Sequence, residues 1–418
     1  MGHESALLST IALGLTAAFI GGLVARKLRL PVIVGYLMGG IAVGPFTPGL
    51  VADAESATQL AELGVVLLMF GVGIHFSPRD LFAVRRTAIP GAIGQILVAT
   101  LLGIGLAELM GWGFGAGLVL GLAISIASTV VLLRALEAHG SLHTRHGRIA
   151  VGWLIVEDLF TVVVLVLLPI LTPALLGDGT VGAMSVLVSV GWALMRTVAL
   201  AAGLLWVGSR VVPWILSHVM TSGGRGELFT LGVLTIAIGV AYASSALFGL
   251  SFALGAFLAG AAVGESDLSH DAAEDALPFR DAFSVLFFVS IGMLLNPEIL
   301  VTHPLAVLGT VAIVVVGKSL TALLIVMALK RPLRTGLIVA AGLAQIGEFS
   351  FIVAQLGLNL DLLPAEGFHV VVAAAIISIT LNPLLFRLGD RIERRRNGQT
   401  ATHRGRQEKS HTSEDADR

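Results

Sequence analysis

The chain has 418 residues, 56% of them apolar and 13% charged, with a mean hydropathy of +0.93. A water-soluble domain of ordinary usage carries roughly a quarter charged residues, so this composition excludes a chain that faces water on all sides. Cysteine is absent, which excludes disulfides and thiolate metal sites, and the net charge of −1 carries little information beside where the charges sit.

Apolar runs recur from end to end at the roughly 20-residue length that crosses a hydrocarbon core of ~30 Å. A segment in that core must satisfy its own backbone hydrogen bonds, which leaves helices or a closed barrel. The alternating pattern of barrel strands is absent. The fold class expected is therefore all-α and polytopic. In chain order the spans predicted are 5–26, 31–46, 58–76, 88–110, 113–136, 147–172, 183–210, 227–246, 249–264, 278–295, 305–329, 333–357 and 367–388, thirteen in all. The first lacks a basic leader and is followed by Arg26-Lys27, so it reads as a retained span rather than a cleaved signal. The second and ninth are short, as expected of helices tilted or buried among others.

Basic residues fix an orientation. Arg26, Lys27 and Arg29, then Arg79, Arg85 and Arg86, then Arg134, Arg145 and Arg148, then Arg210, Arg225 and Arg280, then Lys330, Arg331 and Arg334, and finally the basic tail all fall on one side. Of 26 Lys and Arg, only Arg196 and Lys318 lie elsewhere, both inside spans. The opposite loops carry Asp53, Glu55, Asp178, Glu298, Asp361 and Glu366. The positive-inside rule then places the N-terminus outside and the C-terminus in the cytoplasm. Residues 391–418 are polar and charged and read as a disordered cytoplasmic tail, too short for a nucleotide-binding domain.

The most specific pattern is an internal match at an offset near 220. Leu30 to Gly44 aligns with Leu250 to Gly264, so that Gly35, Gly40 and Gly44 meet Gly255, Gly260 and Gly264. Gly73 to Leu81 meets Gly292 to Leu300, and Gly117-Leu118 meets Gly336-Leu337. Six spans (5–172) thus repeat as six more (227–388), with 183–210 as a linker helix. An offset of seven spans is odd, so the copies insert with opposite orientation. That is the inverted repeat of secondary transporters, whose sites lie where discontinuous helices of the two copies meet near the midplane. The recurring glycines also let helix backbones approach closely.

A charge at the centre of a span costs ~2.5–3.5 kcal/mol even on insertion scales, which makes it a functional candidate. Glu157 and Asp158 sit mid-span in WLIVEDLFTVVV, Lys318 in VAIVVVGKSLTALL and Glu348 in LAQIGEFSFIV. Neighbours on a helix point about 100° apart, so Glu157 and Asp158 do not share one partner easily. One can face Lys318 while the other faces a cavity and binds either a monovalent cation or a proton, and that competition yields antiport. The repeat sets Thr129 against Glu348 and Ser128 against Gly347. Both stretches are rich in small and hydroxyl residues, as in broken helices. Ser125, Ser128, Gln345 and Glu348 are the expected supporting residues, with bonding to their own helix carbonyls as the plain alternative for the hydroxyls.

The phrases LPVIVGYLMGGIAVGP, IASTVVLLRALE, IAVGWLIVEDL, FFVSIGM, VVGKSLTALL and LAQIGEFSFIV resemble the monovalent cation:proton antiporter-2 family over residues 1–390. The branch they are most similar to holds Kef-type potassium efflux systems and YbaL-like relatives. The resemblance implies the sodium/proton antiporter fold and the ion- and proton-binding role for Asp158. It also implies a lysine bridge for Glu157 with Lys318, the broken-helix hydroxyl for Thr129, and a homodimer. The expectation is exchange of K+ or Na+ for H+ across the cytoplasmic membrane, with membrane lipids around the protein, no cofactor, no nucleic-acid partner and no enzymatic step. Sodium-coupled symport of an organic anion is the alternative that the same inverted-repeat fold allows. Many relatives carry a different first residue in the acidic pair, so stoichiometry is not implied.

Overall fold

The computed structural model describes residues 3–48, 53–75, 78–142, 144–176, 183–223, 226–248 and 252–414, whose regular backbone is helical throughout. Phe76, Asp178, Arg225, Leu250 and Ser251, which entered the charge and repeat arguments, lie outside the described residues. So do the last four residues of the expected tail and the side chain of Arg196.

In chain order the helices are α1 (His3–Lys27), α2 (Val32–Val43), α3 (Ala54–His75), α4 (Pro78–Leu109), α5 (Gly113–Ser125), α6 (Thr129–Ala138), α7 (Arg145–Leu175), α8 (Ala183–Gly223) and α9 (Glu227–Phe248). Then come α10 (Phe252–Gly264), α11 (Ser269–Met293), α12 (Ile299–Thr302), α13 (Pro304–Ala312), a π-helical turn (Ile313–Lys318), α14 (Ser319–Ala328), α15 (Leu333–Leu343), α16 (Glu348–Asn359) and α17 (Ala365–Glu414). Among the described residues nine stretches are long and apolar enough to cross a membrane, and the bent pair α15/α16 makes a tenth. The short apolar helices α2 and α10 and the linker α8 complete the thirteen expected elements, in the expected order.

The helices overrun the predicted spans on the basic side. α4 begins ten residues before its apolar run, and α11 takes in Asp271, Glu274 and Asp275, ahead of the predicted start at 278. Hydropathy reports contact with lipid, whereas a helix persists wherever its backbone bonds remain closed. Asp275 is fixed there by the Thr230 hydroxyl, which donates to its carboxylate over 2.7 Å. The backbone of α17 is likewise helical to Glu414, through most of the stretch read as a tail.

Two bundles result. α1, α2, α3 and α8 to α11 pack together in one; α4 to α7 and α13 to α17 form the other, and α7 touches α8. Within the first bundle the repeat is visible as reciprocal packing. Gly40 of α2 lies against the Val289 carbonyl and the Gly292 Cα of α11, while its counterpart Gly260 of α10 lies against the Phe70 carbonyl and the Ile74 amide of α3. In return Gly73 meets the Phe257 carbonyl, and its counterpart Gly292 meets that of Leu37. Each contact reappears with its two helices replaced by their repeat equivalents, as a two-fold relation between the halves requires. No side chain fits between backbones this close.

Replacing Gly260 with alanine forces Cβ into the α3 main chain, and is expected to destabilise the detergent-solubilised protein by about 1–3 kcal/mol. Gly239→Ala on the outer face of α9, where an added Cβ meets nothing within 4 Å, is expected to leave the melting temperature unchanged or slightly raised. Thermal melts of the two variants side by side check this.

Candidate functional site

The second bundle is organised around two interrupted helices that cross. α5 stops at Ser125, Ile126 is extended (φ −93°, ψ 134°), and Ser128 caps α6 by accepting the Val131 amide at 3.2 Å. The sequence Ser-Ile-Ala-Ser-Thr breaks here because hydroxyls compete for backbone groups inside a helix and serve well at its N-cap. In the equivalent span α15 stops at Leu343, Gly347 is extended (φ −100°, ψ 175°), and the axes of α15 and α16 differ by 46°.

The breaks hold each other. The Gly347 amide donates to the Ile126 carbonyl at 3.3 Å. The Ser128 amide donates to Gln345 Oε1 at 3.0 Å, and Gln345 Nε2 donates to the Ser128 carbonyl at 3.0 Å and to that of Gly342 at 3.2 Å. The Ser350 hydroxyl donates to the Ile126 carbonyl at 3.2 Å. A Cβ on Gly347 would collide with the main chain of Ala127 and Ser128, which fixes glycine at the closest approach.

Side chains from the flanking spans satisfy the freed backbone groups, and they do so in matched pairs. From α4, Gln95 Nε2 donates to the Ser125 carbonyl at 3.1 Å; from the equivalent span, Lys318 Nζ donates to the Gln345 carbonyl at 3.3 Å. From α7, Glu157 Oε2 accepts the Ala127 amide at 2.9 Å; from α17, the Ser378 hydroxyl accepts the Ile346 amide at 3.3 Å. Each broken span thus receives a donor on the carbonyl side of its break and an acceptor on the amide side. Where the two are charged they match the half-helix dipoles, with the ammonium at the C-terminal end of α15 and the carboxylate at the amides leading into α6.

Here the structure departs from the sequence expectation. Lys318 and Glu157 are close enough for each charge to bear on the other, yet among the described residues no ion pair within 4.0 Å joins them. Each is held by a backbone group at a different helix end. The π-helical turn that ends on Lys318 is a local widening common at functional sites.

Asp158, next to Glu157, accepts the Thr129 hydroxyl through Oδ2 at 3.3 Å. Glu348 is the first residue of α16, and its charge and that of Glu157 both act on Asp158. All four ionisable side chains are buried: Glu157 0%, Asp158 6%, Lys318 1% and Glu348 2% exposed. One oxygen of each carboxylate, Glu157 Oε1, Asp158 Oδ1 and Glu348 Oε2, has no protein partner. For Glu348 the dipole of α16 offers at most about 2 kcal/mol, less than the ~2.5–3.5 kcal/mol that a mid-membrane charge costs. Its place is therefore not explained by helix stabilisation alone.

Of the expected supporting residues, Ser128 is a cap and Gln345 bridges the two breaks. The Ser125 hydroxyl turns back to its own Leu122 carbonyl at 2.7 Å, the plain alternative, although its carbonyl is the one Gln95 binds. Sequence reasoning missed Gln95, Ser350, Ser378 and Asn382, the last of which donates to the Ala341 carbonyl at 2.7 Å. The repeat offset carries Glu157 to Ile376 and Lys318 to Ala99, so Ser378 and Gln95 lie a residue pair and a helical turn away from the equivalent positions, and the offset alone does not find them.

Residues 14–387 match the profile of the transmembrane sodium/hydrogen exchanger family. The YbaL protein of Escherichia coli (strain K12), whose name describes a cation/proton antiporter, is 55% identical over 388 residues, covering 93% of this chain and 69% of that one. K(+) efflux antiporter 4 of Arabidopsis thaliana is 33% identical over 383 residues, covering 91% of this chain and 64% of that one. Among solved structures, the sodium proton antiporter MjNhaP1 of Methanocaldococcus jannaschii superposes with a TM-score of 0.70 at 17% identity, over 92% of this chain and 97% of that one, a likeness of fold.

Gln345→Leu removes the partners of the Ser128 amide and carbonyl at once. The expected loss of stability is about 1–3 kcal/mol for each buried group left unpaired, read as a lower melting temperature in detergent. Gln345→Glu keeps the acceptor for the Ser128 amide and is expected to fall between the parent and Gln345→Leu.

Proposed function

Because the chain belongs to the sodium/hydrogen exchanger family, in its monovalent cation:proton antiporter-2 branch, we propose that it exchanges K+ or Na+ for H+ with Asp158 as the carrier. The observation that supports this assignment most directly is the state of Asp158: buried, held at one oxygen by Thr129, with the other oxygen unpartnered beside the crossing. A single carboxylate oxygen in that position takes a proton or a dehydrated cation, and loading with one excludes the other. Antiport follows from that exclusion, since the carrier crosses occupied and releases on the far side.

Glu157 and Lys318 serve a different end. Each is committed to a backbone group of a broken span, so their charges hold the crossing open while Asp158 exchanges its load. Thr129 positions the carrier, and its hydroxyl is a neutral oxygen for the cation. The organic-anion alternative meets three carboxylates and one lysine already bound to a carbonyl, an environment that repels an anion.

Alternating access runs on the two-bundle division. The bundle of α4 to α7 and α13 to α17 carries the site past the bundle of α1 to α3 and α8 to α11. The bundles touch at the end that bears Phe46, Asn296 and His369: the Asn296 amide donates to His369 Nδ1 at 3.4 Å, and the Phe46 ring stands edge-on to the imidazole at 6.1 Å. In our reading that end is extracellular, on the strength of the basic residues clustered at the other. Phe287 of α11 and Phe351 of α16 meet deeper in the same seam, at 6.4 Å. The protein works as a multi-pass homodimer of the cytoplasmic membrane, as the family resemblance implies.

Proton flux in proteoliposomes on addition of K+, Na+ or Li+ tests the assignment. Asp158→Asn is expected to abolish cation-dependent flux, and unimpaired exchange by this variant would overturn the carrier role. Thr129→Val removes one hydrogen bond to a charged group and is expected to weaken the apparent cation affinity by about tenfold. Lys318→Ala tests only the support of the crossing, through loss of both activity and thermal stability.

A further inference from the structure

The repeat relation sets a carboxylate, Glu348, where the first repeat has a hydroxyl. Its own backbone amide and the Ser128 hydroxyl bear on that carboxylate, yet Oε2 is left without a protein partner. Its counterpart Thr129 is the first residue of α6, and its hydroxyl faces Asp158. Glu348 is the first residue of α16, at the same place on the other side of the crossing, and there the second repeat supplies a carboxylate. It is 2% exposed, Oε2 has no protein partner, and it is the foremost charged neighbour of Asp158. The backbone amides around it are already engaged: Gly347 donates to the Ile126 carbonyl, Ile346 to Ser378 and Ser350 to the Gly347 carbonyl. Arg280 of α11 is a basic side chain whose charge bears on it. That guanidinium is bound to Asp281 at 2.8 Å and lies across Gly71, so it is not a dedicated partner for Glu348.

We propose that Glu348 is a second ligand of the transported cation, which it and Asp158 bracket from opposite halves of the inverted repeat. Two orphaned carboxylate oxygens, one from α7 and one from α16, together with the Thr129 hydroxyl, replace part of the hydration shell of a monovalent cation. A dehydrated cation between them supplies the positive charge that neither Lys318 nor Arg280 delivers at this point. Glu348 thereby sets cation affinity and the preference between K+ and Na+, because the span between the two carboxylates defines the size of ion that both can touch. The carboxylates come from separate helices, so that span is a property of the crossing and not of one helix.

This inference rests on Asp158 as the carrier, and the experiment separates the two. Parent, Asp158→Asn, Glu348→Gln and Glu348→Asp are reconstituted as full chains, and KM and kcat for K+ and Na+ are taken from proton flux. Glu348→Gln is expected to raise KM for the transported cation by about tenfold or more with kcat changed by no more than about threefold, the pattern of a lost binding contact. Glu348→Asp, with a shorter reach, is expected to alter the ratio of K+ to Na+ affinities. Cation-induced thermal stabilisation of the parent in detergent, measured with KCl and NaCl against choline chloride, is expected to vanish in Glu348→Gln. If Asp158→Asn is inactive while Glu348→Gln keeps its KM for both cations, the bracket is wrong and the carrier assignment stands. If Asp158→Asn exchanges freely, the carrier assignment itself fails. Should Glu348→Gln not fold, an aspartate variant with parental affinities for both cations overturns the proposal.

Discussion

The close contact of Gly347 with Ala127 and Ser128 is the constraint on which the rest of the site depends. Two helices interrupted at mid-membrane expose peptide groups where no water is available, each several kcal/mol out of balance if left alone. Crossing the breaks lets each fill the other's vacancies, through the Gly347 amide, the two-way bridge of Gln345 and the Ser350 hydroxyl. Only glycine permits the approach, and only a side chain with both a donor and an acceptor serves both sides of Ser128. The site is thus a consequence of how the breaks are satisfied, and its charges arrive as part of that solution.

Seen this way, Glu157 and Lys318 are not chiefly an ion pair. A buried pair in direct contact offsets desolvation poorly and is sensitive to small changes in geometry. Separate attachment to the Ala127 amide and the Gln345 carbonyl gives each charge a fixed dipole as a partner, and the residual attraction between them acts across the crossing. A carrier that must load and unload is better supported by neighbours whose own bonds do not break at each step. Asp158, one position further round the helix, differs from Glu157 in being held by a side-chain hydroxyl and not by a backbone amide.

Much of this was legible in the sequence, for identifiable reasons. The thirteen elements follow from apolar length, and the repeat from glycines at Gly35, Gly40 and Gly44 and again at Gly255, Gly260 and Gly264, because close backbone contact tolerates no other residue. The four buried ionisable side chains stood out because a charge in an apolar run is costly. What stayed hidden is what carries no such mark. Gln95 and Ser378 are uncharged and blend into their spans. The π-helical turn before Lys318 leaves no composition signal, and the overrun of α4 and α11 lies in polar sequence that hydropathy ignores. Opposite charges point Lys318 and Glu157 to each other, and they do interact, but the backbone partners that hold them are the dipole ends of broken helices, which are not written as charges at all.

The two halves of the repeat share a scaffold and divide the chemistry. In the four pairs that play corresponding roles, Gln95 and Lys318, Glu157 and Ser378, Thr129 and Glu348, Ser128 and Gly347, one member is charged in three pairs and both are uncharged in the fourth. The charged members do not gather in one repeat: Glu157 comes from the first, Lys318 and Glu348 from the second. A symmetric site would place like charges opposite one another across the axis, where mutual repulsion in a low dielectric is severe. Distributing them gives Glu157 a lysine of the second repeat, while Asp158 meets Glu348, a like charge whose repulsion a cation or proton between them would offset. A monovalent cation therefore finds its opposing charge in both halves at once, and its departure changes the balance on both sides of the crossing together. That links occupancy to the arrangement of the two halves without any contact beyond those already present.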